Sequence, residues 1–260
     1  MLRNCHEAST ELVLTPEDNH WFPLEPQMQR LTLNLMLMLM LVAGLPTLAQ
    51  VPAAVVQPAA VQELVAFLGP YPALDSDAGK ADLAIVLWYQ QNRTAGEVKL
   101  ALGEVKLTLG AYAPAAGRPL DVAQFPKTVA LVDRLAKDIK VQTDALKKHF
   151  GRPRPYMADA RVQPAIEREI SPSYPSGHST RGLAIAMVLA ELVPQRREAL
   201  LEQGRQVGVH RVVGGVHYPS DVTSGQRLGA RLGEAWLAEP SNRVLLEAVR
   251  AAEWTAVPKN

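Results

Sequence analysis

The sequence predicts an all-α protein, a single-domain helical bundle with its chemistry held between core helices. Three observations predict it. From Lys127 to Phe150, apolar residues fall at Val129, Val132, Leu135, Ile139, Leu146 and Phe150. Those intervals of three, four and seven place one stripe on a single helix face. Helix start and stop chemistry brackets that stretch, with Pro126 before it and Gly151 after it. Nowhere is there an alternating apolar–polar run of useful length, as a half-buried strand would need, nor an internal repeat.

The remaining elements follow from the same signals. Residues 50–60 (QVPAAVVQPAA) form a Pro/Ala-rich lead-in. Ala78–Arg93 reads as a helix ended near Thr94, and Ala95–Leu109 as another stopped by Gly110. After Phe150 a turn-rich stretch, GRPRPYM and then SPSYPSG, interrupts the helical pattern. His178–Leu192 is then a helix ended by Pro194, and Gln195–Val213 one broken by Gly214-Gly215. Ser220–Ala238 and Asn242–Glu253 complete the set. The apolar segment Leu183–Val193 is too short to span a bilayer and reads as a core helix.

The N-terminus reads as an address. Arg30 precedes the apolar run LTLNLMLMLMLVAG (Leu31–Gly44), and the small-residue site Thr47-Leu48-Ala49 follows. This is a secretory signal pattern, shorter than the roughly 20 residues of a spanning helix. Met28 is the expected start, so residues 1–27 read as an upstream gene-model extension, 28–49 as the signal peptide and 50–260 as the domain. Cys5, the single cysteine, lies in the extension. The expected mature chain therefore excludes disulfides, cysteine nucleophiles and thiolate metal sites.

At 260 residues, 48% hydrophobic and 20% charged, the composition excludes a disordered, collagen-like or disulfide-scaffold protein. The formal net charge of +1 leaves no nucleic-acid footprint. Residues 1–49 hold two basic and five acidic side chains, so the remainder carries 25 basic against 21 acidic, a net +4. A mildly cationic domain suits a small anionic substrate.

Three short segments concentrate the histidines and cations. In the first, Lys147 sits in the last helical turn and Arg154 follows the Gly151 break between two prolines. A planar guanidinium and a point-charge ammonium suit phosphate oxygens, although a short basic run is also what a solvated surface carries. In the second, Ser176-Gly177 precedes a helix whose N-terminus would bind an anion, with His178 at its mouth. Alone, it is equally a common turn with a serine cap. In the third, His217 and Asp221 stand four apart beyond Arg211, so the carboxylate can reach one imidazole nitrogen and leave the other free. Alone, Asp221 is equally a helix cap after Pro219. Together the segments hold complementary parts of one reaction. Cations and backbone bind a tetrahedral oxyanion, one histidine attacks phosphorus, its aspartate orients it, and the other histidine protonates the leaving group.

These segments, K-x6-RP at Lys147 to Arg154-Pro155, PSGH at Pro175–His178, and R-x5-H-x3-D at Arg211, His217 and Asp221, resemble the signature of the type 2 phosphatidic acid phosphatase and vanadium haloperoxidase superfamily. Within it the chain is most similar to the bacterial class A nonspecific acid phosphatases, on size, signal peptide and the stretch from Gly69 to Leu83 followed by Arg93-Thr94. The family's serine before the arginine is His210 here. That change is expected to alter the surroundings of His217 or the substrate admitted, and not to abolish activity. The resemblance implies a periplasmic acid phosphatase that hydrolyses phosphate monoesters through a phosphohistidine, without metal or other cofactor, inhibited by vanadate. His217 would be nucleophile, His178 general acid and then base, and Asp221 orienter. Lys147, Arg154, Ser176, Gly177 and Arg211 would cradle the phosphate. The implied partner is a small phosphorylated substrate, with no nucleic acid, no membrane after signal cleavage, and homo-oligomers as in similar enzymes. The alternatives are a vanadium-dependent haloperoxidase-like enzyme, using the same pocket for vanadate, and a lipid or pyrophosphate phosphatase of the same superfamily. A zinc site at His178, His210, His217 and Asp221 is disfavoured by the adjacent cations, and a mere phosphate-binding module by the retained His178 and His217–Asp221.

Overall fold

The computed structural model describes residues 58–254, and the expected signal peptide and upstream extension lie outside them. Every regular element among the described residues is helical, as the sequence predicts. The helices are α1 (Pro58–Leu68), α2 (Asp77–Asn92), α3 (Ala95–Gly103), α4 (Ala113–Ala116), α5 (Pro126–Phe150), α6 (Pro155–Ala158), α7 (Gly177–Leu192), α8 (Arg197–Val213), α9 (Pro219–Ala238) and α10 (Pro240–Val249). No described helix is long and apolar enough to cross a membrane.

Local chemistry explains most boundaries. Thr94 caps α3 in a reciprocal box, its hydroxyl accepting from Glu97 N–H while the Glu97 carboxylate takes the Thr94 N–H at 2.7 Å. Helix α5 ends at Gly151, whose φ of +63° is a left-handed stop that a residue with a Cβ would adopt only under strain. The predicted stripe on α5 turns inward, with Val132, Leu135, Ile139 and Leu146 all buried. Leu135 and Ile139 join Ile185 and Leu189 of α7, Leu200 of α8, and Leu245 and Val249 of α10 in the main core cluster.

Helix α7 is the axis of the fold, packed against α5, α8 and α9. Close approach to α8 depends on glycine. A Cβ on Gly182 would stand 2.8 Å from the Gly204 carbonyl, and one on Gly204 would stand 2.7 Å from the Gly182 carbonyl. Backbone-to-backbone packing of this kind fixes the two helices that deliver His178 and Arg211.

Four readings are corrected. The lead-in over 50–60 becomes helical at Pro58, and Val61, Leu64, Val65 and Leu68 give α1 a face that packs on Leu146 and Leu228. Helix α3 stops at Gly103, six residues before the predicted Leu109, because Glu104 turns inward as a buried carboxylate. The stretch before α8 begins with a 3-10 turn at Pro194–Arg196. Beyond α10, the expected helical run to Glu253 becomes a π turn at Arg250–Trp254.

Candidate functional site

The three segments converge on one cavity of about 530 Å³, whose wall includes Lys147, Gly177, His178 and His217. Arg154, Arg211, Ser176 and Asp221 are buried side chains outside that lining. Each arrives by a different piece of chain logic.

His217 and Asp221 flank the start of α9. Gly215, at φ +77°, turns the chain out of α8, and Pro219 opens α9 two residues after His217. Asp221, the third residue of that helix, accepts the Tyr218 N–H at 2.9 Å and lies 3.2 Å from His217 Nδ1. One oxygen of Asp221, Oδ2, thus meets both the start of α9 and the His217 ring. Ser173 Oγ donates to the same oxygen at 2.5 Å, and Arg152 Nη1 donates to Oδ1 at 2.6 Å. Burial raises the Asp221 carboxyl, but His217, Arg152 and Ser173 more than reverse this and hold it at about 2. His217 is pushed down to about 4 by burial, with Arg154 and Lys147 adding to the effect against its bond to Asp221. The ring is thus neutral at neutral pH. Asp221 favours the proton on Nδ1, which leaves the Nε2 lone pair 3.4 Å from Arg154 Nη1.

Behind this pair stands a residue whose role sequence reasoning missed. Arg152 is fully buried. Its Nη2 reaches Asp82 Oδ2 at 2.9 Å, its Nη1 also reaches Ser220 Oγ at 2.7 Å, and the guanidinium lies 4.0 Å over the Tyr218 ring. Asp82 comes from α2 and also accepts the Ser220 N–H at 3.1 Å. Arg152 lies in the basic run already singled out; what sequence could not supply is its partner, 70 residues away.

The cations differ in how free they are. Lys147, buried in the last turn of α5, donates to the Pro172 carbonyl at 2.5 Å. Burial, reinforced by Arg154, pushes its ammonium down to about 8. Arg154 is engaged on every side: Ser171 O at 2.8 Å, Val216 O at 3.0 Å and the Glu169 carboxylate at 2.7 Å. Glu169, another missed residue, lines the cavity. Burial raises its carboxyl, yet Arg154, His217, His178 and Lys147 bring it down to about 2. A carboxylate thus sits among the groups expected to receive a phosphate. Arg211 donates to the Ala101 carbonyl at 2.5 Å, and its buried Nε has no partner among the described residues.

At the start of α7, Ser176 accepts the Ser179 N–H at 3.3 Å, and its own N–H donates to the Asp221 carbonyl at 3.0 Å. This ties the PSGH turn to α9. His178 points Nε2 at the Val105 carbonyl, 3.1 Å away. Burial first, then Arg181 and Arg211, push its imidazole down to about 3. His210 does not touch His217: its Nδ1 lies 2.8 Å from Glu104 Oε2, whose other neighbour is Arg211 Nη2 at 3.7 Å. The substitution for the family's serine therefore bears on Arg211. Among the described residues no three His, Cys, Asp or Glu side chains gather as metal ligands, and His149 is exposed.

Residues 131–243 match the PAP2 superfamily. The chain is similar to an acid phosphatase of Zymomonas mobilis, 37% identical over 118 residues, which cover 44% of this chain and 45% of that protein. It is 32% identical over 124 residues to a non-specific acid phosphatase of Salmonella typhimurium, covering 46% of this chain and 50% of that one. The chain thus matches about half the length of these relatives. Among solved structures, the transmembrane PAP2 type phosphatidylglycerolphosphate phosphatase from Bacillus subtilis superposes with a TM-score of 0.46 at 22% identity, over 68% of this chain and 90% of that one.

Proposed function

We propose that this chain hydrolyses phosphate monoesters through a phosphohistidine on His217, a reading supported by the match of residues 131–243 to the PAP2 superfamily. The observation that carries the reading is the state of His217: neutral, bonded through Nδ1 to Asp221, with Nε2 beside Arg154 and the ring in the cavity wall. Nε2 attacks phosphorus, the ester P–O bond breaks, and the leaving oxygen takes a proton from His178. Water then gives a proton to His178 and attacks phosphorus, and the phosphorus–nitrogen bond breaks, releasing phosphate and restoring His217. Lys147, Arg154 and Arg211 offset the transferred charge, so the step requires no metal. An unliganded His178 is deprotonated at neutral pH; a bound dianion would offset Arg181 and Arg211 and raise it toward the proton-donating range. The Arg30–Ala49 address pattern supports a periplasmic location.

The test is release of p-nitrophenol from p-nitrophenyl phosphate by the purified protein in excess EDTA, with and without vanadate. Turnover that survives EDTA and falls with vanadate is expected. A labelled, acid-labile phosphoenzyme is expected in the wild type and absent in His217→Ala. Its persistence in that variant, or loss of turnover with EDTA, overturns the proposal. Bromide oxidation by peroxide and vanadate would point to the haloperoxidase alternative.

A further inference from the structure

The cavity wall carries four cations, Lys140, Lys147, Arg168 and Arg181. Lys140 is paired with Asp144, and Arg168 lies 5.4 Å over the Tyr156 ring. Lys147 has the Pro172 carbonyl. Arg181 has none of these: no hydrogen bond or ion pair joins its guanidinium to another described residue, although it is partly buried. Of the carboxylates in the wall, Asp144 is taken by Lys140 and Glu169 by Arg154, while Glu167 stays exposed at the mouth. Arg181 stands on α7, three residues beyond His178, so a core helix fixes where it projects. Its Nη1 comes within 3.5 Å, and Lys147 Cε within 3.9 Å, of the point where a Cβ on Gly177 would sit. The guanidinium therefore flanks the opening turn of α7 together with Lys147. Glu169 and Asp144 act on it through space only, so the guanidinium keeps its hydrogen-bond donors open to an anion that enters the cavity.

Lys147, Arg154 and Arg211 are the cations expected to hold the transferred phosphate, and two of them already stand beside the Glu169 and Glu104 carboxylates. Arg181 lies outside that set, and its guanidinium fork is suited to a further oxyanion. We infer that Arg181 binds a second anionic group carried by the leaving group, so that the preferred substrates are phosphate monoesters or anhydrides bearing a phosphate or carboxylate beside the scissile bond. The inference rests on the phosphatase reading for its chemistry. The bond broken and the proton from His178 are unchanged; Arg181 acts on binding and orientation of the departing half.

The test pairs substrates that differ in that group. Ethyl phosphate has a neutral leaving group, 2-phosphoglycolate replaces its methyl by a carboxylate, and inorganic diphosphate offers a phosphate. In Arg181→Gln, the kcat/KM ratio of the anionic substrates to ethyl phosphate should fall about 10- to 100-fold, the worth of one lost charge-assisted hydrogen bond. Arg181→Lys should recover part of it. Whether phosphoglycolate or diphosphate loses more identifies the anion. A ratio that stays constant while all three substrates fall together overturns the inference and makes Arg181 part of the transferred phosphate's cradle. Calorimetric binding to His217→Asn reads the same contrast without turnover. There Arg181→Gln should bring the Kd values of diphosphate and phosphate together, and an unaltered Kd ratio overturns the inference. Absence of hydrolysis by the wild type would instead count against the phosphatase reading, leaving the binding contrast to decide on Arg181. Melting temperatures confirm that each variant is folded.

Discussion

Replacing Arg152 by methionine tests what holds His217 in place. The guanidinium has no exposed surface and joins Asp82 at 2.9 Å to Asp221 at 2.6 Å. Methionine fills similar space without charge, so two buried carboxylates lose their shared counter-charge. Removing one partner of a buried ion pair costs about 3–5 kcal/mol, and a cation serving two carboxylates belongs near the upper end. Acid should relieve the loss. In the wild type Asp221 is held at about 2, below its unfolded value of about 3.9. Its contribution is therefore intact from pH 7 to about pH 5 and largely so at pH 4. In the variant, burial without Arg152 raises the Asp221 carboxyl, so the folded state takes up a proton first and regains stability as pH falls. The penalty should shrink by about 1–2 kcal/mol between pH 7 and pH 4. Urea unfolding of both proteins at the two pH values measures this. A penalty below about 1 kcal/mol at pH 7, or one independent of pH, refutes the reasoning.

Three further outcomes are expected. His217 is held near 4, whereas the unfolded chain protonates histidine near 6.5. The unfolded state thus binds more protons over that window, and His217 alone should cost the wild type about 3 kcal/mol on acidification through it, with His178, held at about 3, adding a loss of the same sign; a melting temperature flat from pH 7 to pH 4 would count against this. Glu169→Gln frees Arg154 from a competing carboxylate, so inorganic phosphate should inhibit p-nitrophenyl phosphate hydrolysis at a concentration roughly 10-fold lower. Weaker inhibition would mean that Glu169 instead holds Arg154 in position. Gly182→Ala places a Cβ 2.8 Å from the Gly204 carbonyl and 3.0 Å from Val207 Cβ; the overpacking should cost about 1–3 kcal/mol in denaturant, and an unchanged midpoint would show that α7 and α8 can separate freely.

The parts of the fold legible in the sequence are those where a local pattern meets a local stop. The α5 stripe, with Pro126 and Gly151 at its ends, specifies that helix almost to the residue. Helix α1 carries the same spacing at Val61, Leu64, Val65 and Leu68, but Pro58 and the alanines before it masked a start that proline favours. Helix α3 ends at Gly103 where the local spacing gives no stop, since the buried position of Glu104 depends on His210, Gln203 and Arg211 far along the chain. At the site, the motif residues were legible as types at fixed spacings. Asp82, Arg152, Ser173 and Glu169 were not legible as a network: each is an ordinary polar residue until folding brings it to Asp221 or Arg154. Arg181 was passed over for the opposite reason, since it interrupts an otherwise apolar helix without belonging to any spacing.

The double duty of Asp221 Oδ2 limits how the site can change. This oxygen caps the first turn of α9, receives Ser173 and faces His217, so three stretches of chain meet on a single atom. A substitution that retunes His217 through this carboxylate also edits the start of a core helix and the anchor of the PSGH turn. Reactivity and architecture are inherited together here, and adaptation of the chemistry must come from the cavity wall, where Glu169 and Arg181 stand, leaving the junction beneath His217 unchanged.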